Sequence, residues 1–212
     1  MLTIRVVRSV RRRLETFTSP NENMYLKSVL PVLLFLFSQL FSGNLEFFRE
    51  DLDFEIKGNY FHVDGIYYFR NNSDTEIKRL LFYPFPLDSL YGIVDSMQAI
   101  CLSDSSDCMI KTRENGFSFK IKILPNQIQK YRLSYRQKLL GNKAEYILTT
   151  TQRWGKPFEE VNYKILLTKD VKLDSLSYFP DSLKTVGDKH IFYYHKINFM
   201  PDRNMKIWFE KS

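Results

Sequence analysis

Three histidines, two cysteines, a run of alternating carboxylates and one tryptophan set between cations are the side chains of this chain whose types and spacing could do chemistry. His190 and His195 stand five residues apart in a strand-like segment, so they point to opposite faces and cannot share a metal ion. His62 belongs to a different segment, and all three read as structural or surface histidines. Asp51, Asp53 and Glu55 alternate with Leu52, Phe54 and Ile56, the pattern of a solvated strand face over a buried one rather than of an acid–base pair. Asp104 and Asp107 offer too few oxygens for a calcium site. They lie between Cys101 and Cys108, in the polar stretch LSDSSD, which has the composition of a turn. In an oxidising compartment that pair would close a hairpin-sized loop as a disulfide, and two unpaired thiols are the alternative.

The segment Gln152-Arg153-Trp154-Gly155-Lys156-Pro157 holds more chemistry than a connection needs. An indole offers a large contact face and its flanking cations can reach anions, so Arg153, Trp154 and Lys156 form a candidate binding loop. The competing reading is that Trp154 turns inward to cap the core, as most tryptophans do. The chain has no CxxC, P-loop, Gly-x-Ser-x-Gly or glycine-rich dinucleotide pattern, so no catalytic residue, metal ligand or cofactor is expected.

The elements that would position these residues read as strands. The aromatic fraction is 16%, with 18 Phe and 13 Tyr, residue types that fill half-buried pleated surfaces. Leu52, Phe54 and Ile56 alternate, as do residues 117–123, FSFKIKI, and Tyr131, Leu133 and Tyr135. Glu114-Asn115-Gly116 and Gly141-Asn142 are hairpin signals, and Pro84-Phe85-Pro86 must end a strand. Residues 46–52 are the best candidate for a helix, and a short one. The expectation is an antiparallel β-sandwich of about ten to twelve short strands, forming a single domain over residues 44–212, with residues 180–182 the best candidate for an internal boundary.

Ahead of it, residues 24–43 have Lys27, an apolar stretch from Val29 to Phe41 and small residues Ser42 and Gly43, the layout of a signal peptide. Spanning a bilayer takes about 20 predominantly apolar residues, which favours cleavage over a retained anchor. Residues 1–23 are a basic extension, either an extended n-region or sequence upstream of a true start at Met24, the reading we prefer. The net charge of +7 invites nucleic acid as a partner. Taking the six basic and two acidic residues ahead of Asn44 from totals of 31 and 24 leaves 25 against 22, an ordinary mixed surface.

The stretch YYFRNNSDTEIKRLLFYPFP, residues 67–86, resembles the strand-turn-strand with N-x-S/T that opens the N-terminal β-domain of the gluzincin aminopeptidases. YILTTTQRWGKPFEEVNYKI, residues 146–165, is similar to a hairpin of exported bacterial β-sandwich proteins of unknown function. Together these resemblances imply an extracytoplasmic β-sandwich and no catalysis, since HExxH is absent. The expected function is a non-enzymatic exported domain, periplasmic or secreted, with a structural role or a role in docking another envelope protein. A binding module for a small molecule, glycan or lipid and an envelope hydrolase are the alternatives. An apolar cavity between the sheets would favour the first of these, and convergent polar groups in a pocket the second.

Overall fold

The computed structural model describes residues 43–211, so the basic extension and nearly all of the signal segment lie outside the described residues. Within them fourteen strands and one 3-10 helix follow: β1 (Leu45–Lys57), β2 (Tyr60–Asn71), β3 (Ile77–Pro84), β4 (Tyr91–Cys101), β5 (Ser106–Asp107), β6 (Ile110–Arg113) and β7 (Gly116–Ile123). Then come β8 (Ile128–Leu139), β9 (Lys143–Tyr146), the 3-10 helix (Thr149–Trp154), β10 (Phe158–Thr168), β11 (Val171–Leu176), β12 (Ser182–Val186), β13 (Lys189–Phe199) and β14 (Met205–Lys211). The all-β class is as the alternation indicates, with more strands than expected.

One sheet holds eight strands in the order β12-β13-β10-β1-β2-β8-β4-β5. Two three-stranded sheets, β3-β7-β6 and β11-β14-β9, share its core. The large sheet is mixed, because β1 pairs with β10 in parallel while its other ladders are antiparallel. Only one of its faces is apolar. Leu52, Phe54 and Ile56 of β1 and Val161, Tyr163, Ile165 and Leu167 of β10 are buried, while Asp51, Asp53 and Glu55 take the other face as the alternation required.

Three expectations are corrected by strand pairing. Residues 46–52 belong to β1, since their partners in β2 and β10 supply a ladder that outweighs a weak local helical preference. Gly141-Asn142 turns the chain without making a hairpin: β8 lies in the large sheet, whereas β9 pairs with β14. Nor do residues 180–182 form a domain boundary, because Asp181 N–H donates to Tyr193 O at 2.8 Å and Ser182 opens β12 against β13. The hairpin at Glu114-Asn115 is present, with Arg113 paired to Gly116. Gly116 has φ of 154°, and a Cβ there would meet Tyr83 O at 2.2 Å, so the site requires glycine.

β1 carries the irregularity that matters most. Its inward residues are odd-numbered at Leu45 and Phe47 and even-numbered from Glu50 to Ile56, and a bulge between Phe47 and Arg49 absorbs the change. Phe48 and Arg49 together oppose Tyr68, and the strand resumes with Glu50 facing the interior.

Candidate functional site

The layer covering the large sheet is divided. β3 is the edge of one small sheet and β9 the edge of the other, and no ladder joins them. A cleft of about 550 Å³ opens at this division. Its floor is the large sheet, through Phe47 and Glu50 of β1, Tyr67 and Phe69 of β2 and Leu133 of β8. Residues 80–84 of β3 form one wall, and Tyr146 with the 3-10 helix forms the other.

Three tyrosines tie the sheets together at the cleft. The Tyr67 hydroxyl lies 2.8 Å from that of Tyr83 and 2.9 Å from that of Tyr146, so one side chain of the floor bonds to the edge strand of each small sheet. Gly65 makes this possible: a Cβ there would meet Leu52 at 2.4 Å and the Tyr67 ring at 2.7 Å, so the Tyr67 side chain lies back over the space glycine leaves. Burial raises the pKa of all three phenols well above the ordinary value, which keeps them protonated.

Beside them sits Glu50, 2% exposed, with Oε1 accepting a 2.6 Å hydrogen bond from the Tyr163 hydroxyl. Burial pushes its carboxyl up to about 8, against the pull of the Tyr163 bond and with a small addition from the charge of Asp51. Among the described residues no lysine or arginine belongs to the groups acting on it. Asp51, next in sequence but on the opposite face, is treated differently. Burial would raise it, yet Tyr68, Asn162 and Arg49 donate to it and hold it below the usual carboxylate range.

The proposed binding loop is divided by the structure. Trp154 ends the 3-10 helix, half-buried, with its ring 5.7 Å from that of Phe47 and 5.8 Å from that of Phe69. It therefore packs on the core and borders the cleft at once. Arg153 is exposed at the rim. Lys156 stands apart, its ammonium 2.9 Å from Glu46 Oε1. The helix is fixed by Thr149, whose hydroxyl donates to Asn204 Oδ1 at 3.0 Å, and by Gln152, which donates to Pro201 O at 2.8 Å. Gly155 closes it at φ of 72°.

The remaining candidates lie elsewhere. Cys101 faces Ser106 across the β4–β5 hairpin while Cys108 N–H bonds Ala99 O at 2.7 Å, which makes the two cysteines diagonal neighbours. His195 and His190 take opposite faces of β13, the first 2.9 Å from Asn162 Oδ1 and the second 3.1 Å from Thr185 Oγ1. Among the described residues no group of three or more His, Cys, Asp or Glu could hold a metal ion. Sequence reasoning missed Glu50 and the tyrosine triad. Extending the alternation of Leu52, Phe54 and Ile56 back by one step would have placed Glu50 inside.

No protein-family model matches the chain, and no curated protein matches its sequence. Solved structures do match. A protein of Legionella pneumophila, described as a "putative nutrient binding protein", superposes with a TM-score of 0.64 at 11% identity, over 78% of this chain and 67% of that one. The likeness is one of fold. An M1 zinc metallopeptidase of Deinococcus radiodurans aligns with a TM-score of 0.49 at 8% identity, over 78% of this chain but only 42% of the enzyme.

Proposed function

We propose that this chain is an exported, non-enzymatic β-domain that binds a small molecule in the cleft between β3 and β9. The observation that carries the reading is the cleft itself. A volume of about 550 Å³ is that of a small-molecule site, and its apolar aromatic lining surrounds a few convergent polar groups, Glu50 and three tyrosine hydroxyls. Glu50 is the one carboxylate bordering the cleft among the described residues, so the paired carboxylates of a glycoside hydrolase find no support there. The Legionella fold neighbour, with its nutrient-binding description, points the same way. Export rests on the signal-like segment of residues 24–43.

The test is a ligand-observed NMR screen of a small-molecule library against the full chain, repeated with Thr150→Trp, which places an indole on the 3-10 helix where it borders the cleft. Binders should weaken by about tenfold or more in the variant, while its urea midpoint stays near that of the parent. A library without binders, or binders indifferent to the plug, would remove the reading.

A further inference from the structure

Resting on that reading, we propose that the cleft selects a small organic cation, an ammonium group on an aromatic or aliphatic body, with Glu50 as its counter-charge. Glu50 is a buried carboxyl without a cationic partner among the described residues. Tyr163 is the one hydrogen-bond donor it finds among the described residues, leaving acceptor capacity on a group that borders the cleft. Charges at this depth are rarely left so; they are paired, or they shed their charge until a partner arrives.

The surroundings favour a positive guest. The rings of Phe47, Tyr67, Phe69, Tyr83, Tyr146 and Trp154 border the same space, and aromatic faces attract ammonium groups, the more so when desolvated. Acceptors are in supply as well, because the tyrosine triad has three hydroxyl oxygens and only two contacts among them. An ammonium ion brings three donors to such a floor, whereas a carboxylate ligand would face Glu50 and the nearby charge of Asp51. Arg153 at the rim does not reverse this. Its exposed guanidinium is screened by water and salt, while Glu50 acts from the low-dielectric interior, where each unit of charge interacts several times more strongly.

Binding should then depend on pH through Glu50. The groups around it are Tyr163, Tyr67, Tyr83 and Tyr146, all raised by burial, and Asp51, held low, so none of these changes protonation between pH 6 and 9. With a free carboxyl titrating near 8, a cation that binds only the ionised form sees a competent fraction of about 0.01 at pH 6 and about 0.9 at pH 9. Its apparent affinity should rise roughly 90-fold across that range.

Isothermal titration calorimetry of the full chain with phenethylammonium, which keeps its three N–H donors and stays largely protonated up to pH 9, measures this directly. We expect the roughly 90-fold rise with pH, and a weak, flat profile in Glu50→Gln. At pH 8.5, phenethylammonium should bind at least about tenfold tighter than 2-phenylethanol, and phenylacetate weakest. A pH-independent affinity in the unmodified protein overturns the proposal without recourse to any variant. Equal binding of the alcohol, or tighter binding of phenylacetate, overturns the cation and leaves the binding cleft standing. Failure of all three probes while the library screen yields binders sensitive to Thr150→Trp does the same. Failure of the probes together with an empty screen ends both readings.

Discussion

Glu50 sets a pH dependence on the fold as well as on the cleft. Unfolded, its carboxyl titrates near the ordinary 4.5, and folded it titrates at about 8. Between those values the native state keeps a proton that the unfolded chain has lost, so stability falls as pH rises, by up to about 1.4 kcal/mol per unit. The contribution is complete below about pH 4.5 and gone once pH passes about 8. Glu50→Gln removes the titration while keeping an acceptor for Tyr163. The stability of the variant relative to the parent should therefore grow from pH 5 to 8 by about 4 kcal/mol at most, measured by urea unfolding at each pH. Parallel stability curves for the two proteins would contradict a carboxyl buried without a counter-charge. The partnered carboxylates, Asp51 on the outer face among them, pull the other way and cancel in this comparison.

Among the elements, the three sheets meet through tyrosine hydroxyls, and substitution by Phe ranks their roles. Tyr67→Phe strips the shared partner from both Tyr83 and Tyr146 and should cost about 2 kcal/mol, while Tyr83→Phe leaves Tyr67 bonded to Tyr146 and should cost about 1. Tyr135, buried beside Tyr83 with its rings 5.8 Å away, has a hydroxyl without a hydrogen-bond partner among the described residues. Tyr135→Phe should stabilise the protein by about 1 kcal/mol, and a loss of comparable size in chemical denaturation would show that its hydroxyl is satisfied in solution. How far these elements could be read from sequence follows from what each signal encodes. Alternation in Leu52, Phe54 and Ile56 gives the buried face directly, because side-chain direction is local. Gly141-Asn142 encodes a change of direction but not the next partner, so a crossing between sheets looked like a hairpin. Glu50 hid in a change of parity: with the bulge at Phe48 unseen, the seven residues 46–52 showed no clean period of two. Trp154 was legible as a residue of consequence, and its dual place, on the core and at the cleft, depends on a 3-10 turn that its composition does not announce.

For the molecule as a whole, the compact unit of residues 44–212 coincides with the stretch that we propose as the mature exported chain. Intact mass of protein recovered from the envelope should correspond to a start near Asn44, and retention of residues 24–43 would make that segment an anchor. The same sample tests the cysteines. Diagonal neighbours on a hairpin lie roughly 7 Å apart, at the edge of what a disulfide spans, so Cys101 and Cys108 could join with a small adjustment and a gain of about 2 kcal/mol. Thiol counting on unfolded, unreduced protein should find none; two reactive thiols would rule the bond out.

The parallel pairing of β1 with β10 has a consequence for how the chain acquires its structure. Arg49 and Glu160 are joined across the ladder although 111 residues separate them in sequence, and β1 lies inside the large sheet rather than at its edge. The β1–β2 hairpin can form early, but one side of β1 has no partner until β10 has been made. Folding is therefore weighted toward its end, with a high contact order and a slow final closure. Until that closure the apolar face of the first hairpin, with Leu52, Phe54 and Phe61, stays open to water or to a holding chaperone. Under the export that we propose, late closure would be an advantage: a segment that emerges first from a narrow translocon would not lock into its final shape before most of the rest had passed.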